Sequence, residues 1–225
     1  MLTERLLQFA LIGAEWVLWL LIGLSVFSAW VVIDRLVLFA RTREKIQALE
    51  PRLTKALSEC DMATAEREVA RDSFVRNVLR AGIQAVRRGA RDNDAVEQAM
   101  LGAIARERAR YEARLTPLGT IGNNAPFIGL FGTVLGIIQA FHQLGQFDAT
   151  QAASNQLIMA AIGEALVATG VGIMVAIPAV AAFNWAKSNI GARLKHAESL
   201  MRVVLAGATK YSCAEAEDQV QDDKA

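Results

Sequence analysis

The sequence AAIGEALVATGVGIMVAIPAV, at positions 160–180, decides how this chain is organised. It is the centre of a longer run, 149–186, in which Glu164 is the only charged residue. A bilayer core needs about 20 apolar residues per helix, so the run predicts a transmembrane helix. A charged carboxylate at the centre of such a helix costs roughly 2.5–3.5 kcal/mol and normally faces a partner or a water-filled path. Glu164 is therefore a candidate functional residue, and the alternative is a glutamate that points into lipid headgroups.

The composition is typical of a membrane protein. Of the 225 residues, 53% are hydrophobic, and the formal net charge is +1. The chain has no basic domain, so nucleic acid is not an expected partner. Its two cysteines, Cys60 and Cys213, lie far apart in charged segments, and no His/Cys cluster predicts a metal site. Neither a nucleophile–base pair nor a glycine-rich phosphate loop is visible, so we predict neither an enzyme nor a cofactor.

The N-terminal part predicts one membrane span. Residues 1–15 predict a short periplasmic amphipathic segment. Residues 16–39 predict transmembrane helix 1, with three tryptophans as interface anchors: Trp16, Trp19 and Trp30. Basic residues follow the span at once. By the positive-inside rule they place this end in the cytoplasm and the N-terminus in the periplasm.

A charged region, residues 40–116, follows and predicts a cytoplasmic helical bundle. Pro51 indicates a break or a start of a helix. Gly89 and Asp92 predict a turn and the N-cap of a new helix, which we expect to run through Leu115.

The next segment, 117–145, predicts transmembrane helix 2 with a short lead-in. Pro117 and Pro126 predict a kink or an interruption where the helix enters the membrane. Small residues then recur at helical spacing and let another helix approach closely. Three of them are predicted helix-packing positions: Gly129, Gly132 and Gly136.

The remainder predicts a periplasmic loop at 146–156, transmembrane helix 3 with a cytoplasmic extension at 157–186, and a cytoplasmic helix with a disordered tail at 187–225. The loop contains no Lys or Arg, whereas basic residues flank both spans on their other sides. The asymmetry predicts a cytoplasmic C-terminus. The spans also imply membrane lipid as the surrounding medium.

Glu164 and two threonines form the candidate proton path. Desolvation disfavours the charged carboxylate, so Glu164 can gain and lose a proton. One helix face containing Glu164, Ala168, Val171 and Val175 is predicted to line a central path, with Thr169 turned towards a neighbouring helix. The hydroxyls of Thr133 and Thr169 can donate and accept, as a proton path requires. The alternative for each threonine is a bond to a carbonyl of its own helix.

Two motifs closely resemble the ExbB/TolQ/MotA family of proton-channel subunits. They are APFIGLFGTVLGIIQAF in helix 2 and IGEALVATGVGIMVAIPAVAAFN in helix 3. The order of three spans with a large cytoplasmic insertion also agrees, so the resemblance covers nearly the whole chain and is nearest to ExbB- and TolQ-type subunits. Gly163, before the glutamate, departs from the alanine of related sequences and leaves the subtype open.

The resemblance implies an all-α membrane protein that assembles as a cyclic homo-oligomer, a pentamer in the ExbB type. The expected partners are an ExbD/TolR-like single-span protein in the central pore and a TonB/TolA-like energy transducer or motility component. The resemblance also implies that Glu164, Thr133 and Thr169 form the proton pathway of an inner-membrane energiser, for example one that powers TonB-dependent import. The alternatives are TolQ-like envelope maintenance, a gliding-motility stator subunit, and a membrane scaffold that does not conduct.

Overall fold

The computed structural model describes residues 15–43, 46–90, 92–144 and 153–222, and side chains for 15–43, 46–90, 92–142 and 159–211. These described residues form seven α-helices and no strand: α1 (Glu15–Arg41), α2 (Ile46–Ser58), α3 (Met62–Glu68), α4 (Phe74–Arg87), α5 (Asn93–Glu112), α6 (Leu115–Leu144) and α7 (Ala153–Asp222). The predicted amphipathic segment before residue 15 and most of the predicted loop lie outside them.

Three helices are long and apolar enough to cross a membrane: Glu15–Arg41, Leu115–His142 and Met159–Tyr211. Hydrocarbon offers no hydrogen bonds to the backbone, so an apolar run in lipid must satisfy its amides within its own helix. The predicted all-α membrane protein with three spans is thereby confirmed at the level of the fold.

The chain divides into two compact units, and the first holds residues 1–35 and 114–185. Its apolar cluster draws on all three long helices: Val17 and Leu21 from α1, Ile121, Ala125 and Leu135 from α6, and Val175 and Ala176 from α7. Other large side chains of the same helices are exposed, among them Trp19 and Met174 at 72% each. Such side chains suit a lipid or protein environment and not water.

The second unit holds residues 36–113 and 186–225. Helices α4 and α5 approach closely, because a Cβ placed on Gly82 would lie 2.6 Å from Sδ of Met100. Arg193 stacks over the rings of Phe39 and Tyr111, each centroid 5.0 Å from its guanidinium carbon. It also donates to the Tyr111 hydroxyl at 3.0 Å. An arginine that stacks and donates at once fixes the aromatic core around it.

An ion pair on the surface of the second unit joins α5 to Asp72, two residues before α4. Arg110 donates to both carboxylate oxygens of Asp72, at 2.9 and 2.7 Å. These bonds hold the pKa of Asp72 well below its usual range, with a further contribution from the amide of Asn77. Both partners are substantially exposed, at 42% and 59% of their side chains, so the pair contributes little to stability.

Several predicted boundaries differ from the structure. Helix α6 runs unbroken from Leu115 through Pro126, so the predicted interruption is wrong. Pro117 lies in the first turn, where amides need no acceptor within the helix. The helix ends before Arg114 instead, which has a φ of 62°, so α5 ends at Glu112 and does not reach Leu115.

Two other expectations are corrected in the same way. Pro51 lies inside α2 and does not break it. The disordered tail expected in the last part of 187–225 is helical to Asp222. Beyond the apolar span, α7 keeps buried residues at helical spacing as far as Ala208, including Ala197, Leu200 and Val204, and this packing sustains that part of the helix. The predicted turn at Gly89 and N-cap at Asp92 are confirmed, since φ of Gly89 is 91° and the Asp92 carboxylate accepts from the amide of Asp94.

Candidate functional site

Two glycines of α6 lie directly against α7. A Cβ placed on Gly129 would lie 2.6 Å from the carbonyl oxygen of Ala168 and 3.0 Å from Cα of Thr169. A Cβ on Gly132 would lie 2.9 Å from Cβ of Ala168. Real Cβ atoms do not approach a backbone oxygen this closely, so only glycine fits at Gly129. Gly136, one turn further along the same stripe, is also buried.

Gly172 of α7 completes this contact from the other side. A Cβ on Gly172 would lie 2.6 Å from the carbonyl oxygen of Ala125 and 3.1 Å from Cα of Gly129. Gly172 was not among the predicted helix-packing positions. Its spacing of four from Ala168 is the small-xxx-small signal that could have identified it.

Thr133 is buried on α6, with 6% of its surface exposed. Its Oγ1 donates to the carbonyl oxygen of Leu130 at 2.7 Å. The hydroxyl therefore makes the helix-backbone bond that was the alternative to a proton path. Its oxygen still has lone pairs that can accept a proton from a neighbour.

Thr169 on α7 differs from Thr133 in the hydrogen bonding of its hydroxyl. Its Oγ1 is buried, and within the described part of the chain it has no hydrogen-bond partner. Its backbone lies beside Gly129 in the contact between α6 and α7. Leaving a buried hydroxyl unpaired costs about 1–3 kcal/mol, so a native structure rarely keeps one without a reason.

Glu164 is exposed, and its carboxylate makes no hydrogen bond or ion pair with any described residue. The face predicted to line a path is not uniformly open, because Ala168 and Val175 are buried, at 1% and 6% exposure. These two residues pack inside the unit and cannot line a path there. The carboxylate lies outside that packed surface, on the side of α7 that no described part of the chain covers.

The uncovered side of α7 has its own regular pattern. Gly163, Val167, Gly170, Met174 and Ile177 recur at spacings of four and three, and all five are exposed. We call them the open seam. A Cβ placed on Gly163 or Gly170 would meet nothing within 4 Å. Packing within the described chain therefore gives no reason for glycine at either position, whereas close contact with another helix would.

A polar cluster on α1 was not predicted as a unit. Asp34 accepts from Arg35 at 2.6 Å and from Arg114 at 3.1 Å. The guanidinium of Arg114 also lies 5.2 Å from the ring centroid of Trp30. The carboxylate of Asp34 is thus compensated by two cations, in contrast to that of Glu164. Sequence spacing gave no signal for Arg114, because its contacts depend on the turn before α6.

Comparisons with known proteins agree with these features. A family model described as the MotA/TolQ/ExbB proton channel family matches residues 70–199. The Tol-Pal system protein TolQ of Pseudomonas aeruginosa is 34% identical over 191 residues, which is 80% of each chain. The biopolymer transport protein ExbB of Neisseria meningitidis is 35% identical over 182 residues, 74% of this chain and 78% of the relative.

The biopolymer transport protein ExbB of Xanthomonas campestris is similar to this chain over a shorter stretch and at a higher identity. The two are 44% identical over 90 residues, which cover 40% of this chain and 34% of that relative. The family match covers more than half of the sequence and includes the whole of α6 and the apolar part of α7. This chain therefore belongs to the MotA/TolQ/ExbB proton channel family.

Proposed function

We propose that this chain is the proton-conducting subunit of an ExbB-type energiser in the bacterial inner membrane. It couples the proton motive force to work on a periplasmic or outer-membrane partner, such as the machinery of TonB-dependent import. The observation that carries the proposal is Glu164, an exposed carboxylate without an ion pair among the described residues, within an apolar helix of a proton channel family. Such a group marks a proton or ion pathway far more often than a structural position.

The two threonines take different roles in this proposal. Thr169 lies about one and a half turns from Glu164 along α7, and its buried hydroxyl has no hydrogen-bond partner among the described residues, so it can still donate and accept. Thr133 is bonded to the Leu130 carbonyl and can accept without breaking that bond. We therefore assign the larger part of the path to Glu164 and Thr169, and a supporting part to Thr133.

The open seam supports a cyclic homo-oligomer, with five subunits by resemblance to the ExbB type. Exposed apolar residues and two glycines with open space above them suit a second helix at short distance. Glu164 is exposed on the same helix, so an assembly through this seam would bring together the α7 helices that carry these carboxylates. Our topology places the N-terminus in the periplasm and the C-terminus in the cytoplasm.

The carboxylate of Glu164 also favours a polar partner from another chain. An ExbD/TolR-like single-span helix in the central pore would supply one, and a TonB/TolA-like transducer would receive the motion. A charge that crosses 100 mV releases about 2.3 kcal/mol, so a few protons suffice for a substantial conformational step.

One alternative within the family has its own support. The TolQ of Pseudomonas aeruginosa matches 80% of this chain, so a TolQ-like role in envelope maintenance competes with import. A gliding-motility stator subunit would use the same proton site. A non-conducting scaffold would explain the helix packing but not the uncovered carboxylate.

The test compares Glu164→Gln with Glu198→Gln in the native bacterium after deletion of its own copy. Glu198 is exposed on the same helix, outside the apolar run, so the control makes the same chemical change away from the proposed path. TonB-dependent import and envelope integrity are measured in parallel, with membrane level and oligomer size. We expect Glu164→Gln to assemble normally and lose proton-dependent work, and Glu198→Gln to retain it.

The phenotype that is lost identifies the subtype. Loss of import alone supports the ExbB-type role, and loss of envelope integrity alone supports the TolQ-like role. Full function of Glu164→Gln in both assays would refute proton conduction through this residue and leave the scaffold.

A further inference from the structure

A second polar site lies in the unit that contains α2 to α5. A cavity of about 430 Å³ opens there, lined by Arg41, Thr42, Arg43, Ala48, Leu49, Arg52, Glu68, Arg71, Asp72, Ser73 and Arg76. Its volume falls within the roughly 300–1,000 Å³ typical of small-molecule sites. Five of these side chains are arginines and two are carboxylates, so the cavity is strongly cationic.

The carboxylates do not balance the arginines. Asp72 is already held by both nitrogens of Arg110, which is not among the lining residues. Glu68 is 3.9 Å from Arg52, at the limit of an ion pair. Arg41, Arg43 and Arg71 make no ion pair within the described residues. Uncompensated guanidinium groups that share one cavity favour an anion between them.

Ser73 gives independent support for a ligand. It is 2% exposed, and its buried Oγ has no hydrogen-bond partner in the described part of the chain. It stands at the N-cap of α4 with extended backbone, yet its hydroxyl makes no capping bond. A serine at an N-cap normally bonds to the first amides of its helix. Ser73 is also one of the residues that line the cavity, and the described part of the chain offers its hydroxyl nothing to bond.

The start of α4 adds further donors at the same place. The first amides of a helix have no acceptor within the helix, and the aligned peptide dipoles favour negative charge there. Phosphate groups bind readily at such ends, especially with arginines nearby. At this end Ser73, with its unpaired buried hydroxyl, and uncompensated arginines line one cavity.

We propose that this cavity binds a phosphate-bearing anion. The phosphoryl oxygens accept hydrogen bonds from Ser73 Oγ, from the arginine side chains that line the cavity, including Arg71, and from the first amides of α4. A soluble phosphate compound or the headgroup of an anionic phospholipid supplies the same chemistry. Arg41 is the last residue of α1, a candidate membrane span, so a headgroup is one available source. The site is separate from Glu164 and does not depend on proton conduction.

The test uses the full chain with two probes. In detergent, inorganic pyrophosphate is titrated against thermal unfolding, with sodium chloride at equal ionic strength as reference. In nanodiscs of phosphatidylcholine with a minor fraction of phosphatidylglycerol, native mass spectrometry counts the phosphatidylglycerol retained. Binding to the native state raises the unfolding temperature by mass action. A response to pyrophosphate alone identifies a soluble ligand, and retention of phosphatidylglycerol alone identifies a lipid headgroup.

Three variants make the test specific. Arg71→Gln removes an exposed arginine of the cavity and should weaken binding about tenfold, the usual effect of losing a hydrogen bond to a charged group. Arg106→Gln makes the same change at an exposed position on α5 outside the cavity and should bind as the parent does. Ser73→Ala should weaken binding without lowering the stability of the ligand-free protein, because the hydroxyl it removes has no partner there.

Equal binding by the parent, Arg71→Gln and Ser73→Ala would overturn the proposal, as would the absence of binding to both probes. A loss of ligand-free stability in Ser73→Ala would also count against it, since it would assign the hydroxyl a structural bond.

Discussion

Replacing Gly129 by alanine tests the closest helix contact in the first unit. The added methyl would lie 2.6 Å from the Ala168 carbonyl oxygen and 3.0 Å from the Cα of Thr169. Both atoms belong to the backbone and cannot rotate away, so α6 and α7 must move apart. Overpacking of this kind costs about 1–3 kcal/mol. Alanine has a higher helix propensity than glycine, which offsets up to about 1 kcal/mol of that cost. We expect a net destabilisation of about 1–2 kcal/mol.

The matched control is Gly163→Ala on the open seam, where the added methyl meets nothing within 4 Å. Within one chain, Gly163→Ala should leave the free energy of unfolding unchanged or raise it slightly. Unfolding is induced by SDS in mixed micelles and followed by near-UV circular dichroism, which reports tertiary packing. Native mass spectrometry in a mild detergent gives the oligomeric state of both variants.

The two variants should separate folding from assembly. Gly129→Ala should unfold at lower SDS, and Gly163→Ala should unfold as the parent does but form fewer or weaker oligomers. Identical unfolding of Gly129→Ala and the parent would refute the close approach of α6 to α7. Undiminished assembly of Gly163→Ala, with Gly170→Ala behaving alike, would remove the open seam as a subunit contact.

Three further predictions concern the path, the topology and the surface ion pair. Thr169→Val should reduce proton-dependent work more than Thr133→Val, with assembly intact, and equal activity of Thr169→Val and the parent in complementation would contradict a role for its hydroxyl. A membrane-impermeant thiol reagent added from the periplasm should label a cysteine introduced at Asp148 and not Cys60, and the reverse pattern would overturn the orientation. Arg110→Gln removes the cation that keeps the pKa of its carboxylate partner low. The lowered pKa of Asp72 in the folded protein stabilises the parent at pH values above the unfolded pKa, about 4, and this stabilisation is lost as the pH falls from there towards the folded pKa. The small stability difference between Arg110→Gln and the parent should therefore shrink over that range in thermal unfolding, and a constant difference would contradict the prediction.

The spans could be read from the sequence because they depend on local composition. A single long run without charge can satisfy its own backbone hydrogen bonds in hydrocarbon only by forming a helix. The path of the chain through Pro126 could not be read in this way. A proline weakens a helix locally, but whether the helix breaks depends on its packing, and α6 is packed on α7 at positions on both sides of Pro126, including Gly122 and Gly129. The helix break at Arg114 likewise could not be read from local composition, because Arg114 is held by a tertiary contact with Asp34.

The candidate site was predictable in its residues and less so in its geometry. The spacing of small residues identified Gly129 and Gly132 as positions of close approach, because glycine stripes have few other uses in a membrane helix. Periodicity placed Glu164 and Ala168 on one face but could not tell that Ala168 packs inside the unit while Glu164 remains uncovered.

The polar groups of α7 indicate that a single chain is not the functional unit. Within the described residues, Glu164 has no ion pair and the buried hydroxyl of Thr169 has no hydrogen bond. In hydrocarbon each is unfavourable, by roughly 2.5–3.5 kcal/mol for the charged carboxylate and about 1–3 kcal/mol for the hydroxyl. The two residues are five positions apart, or about 7.5 Å along the helix. They also lie about 140° apart around an ideal helix, so one side chain from another helix does not reach both. Polar groups or water that other chains bring to each of the two sides would relieve both costs, and their positions would define the path that a proton takes.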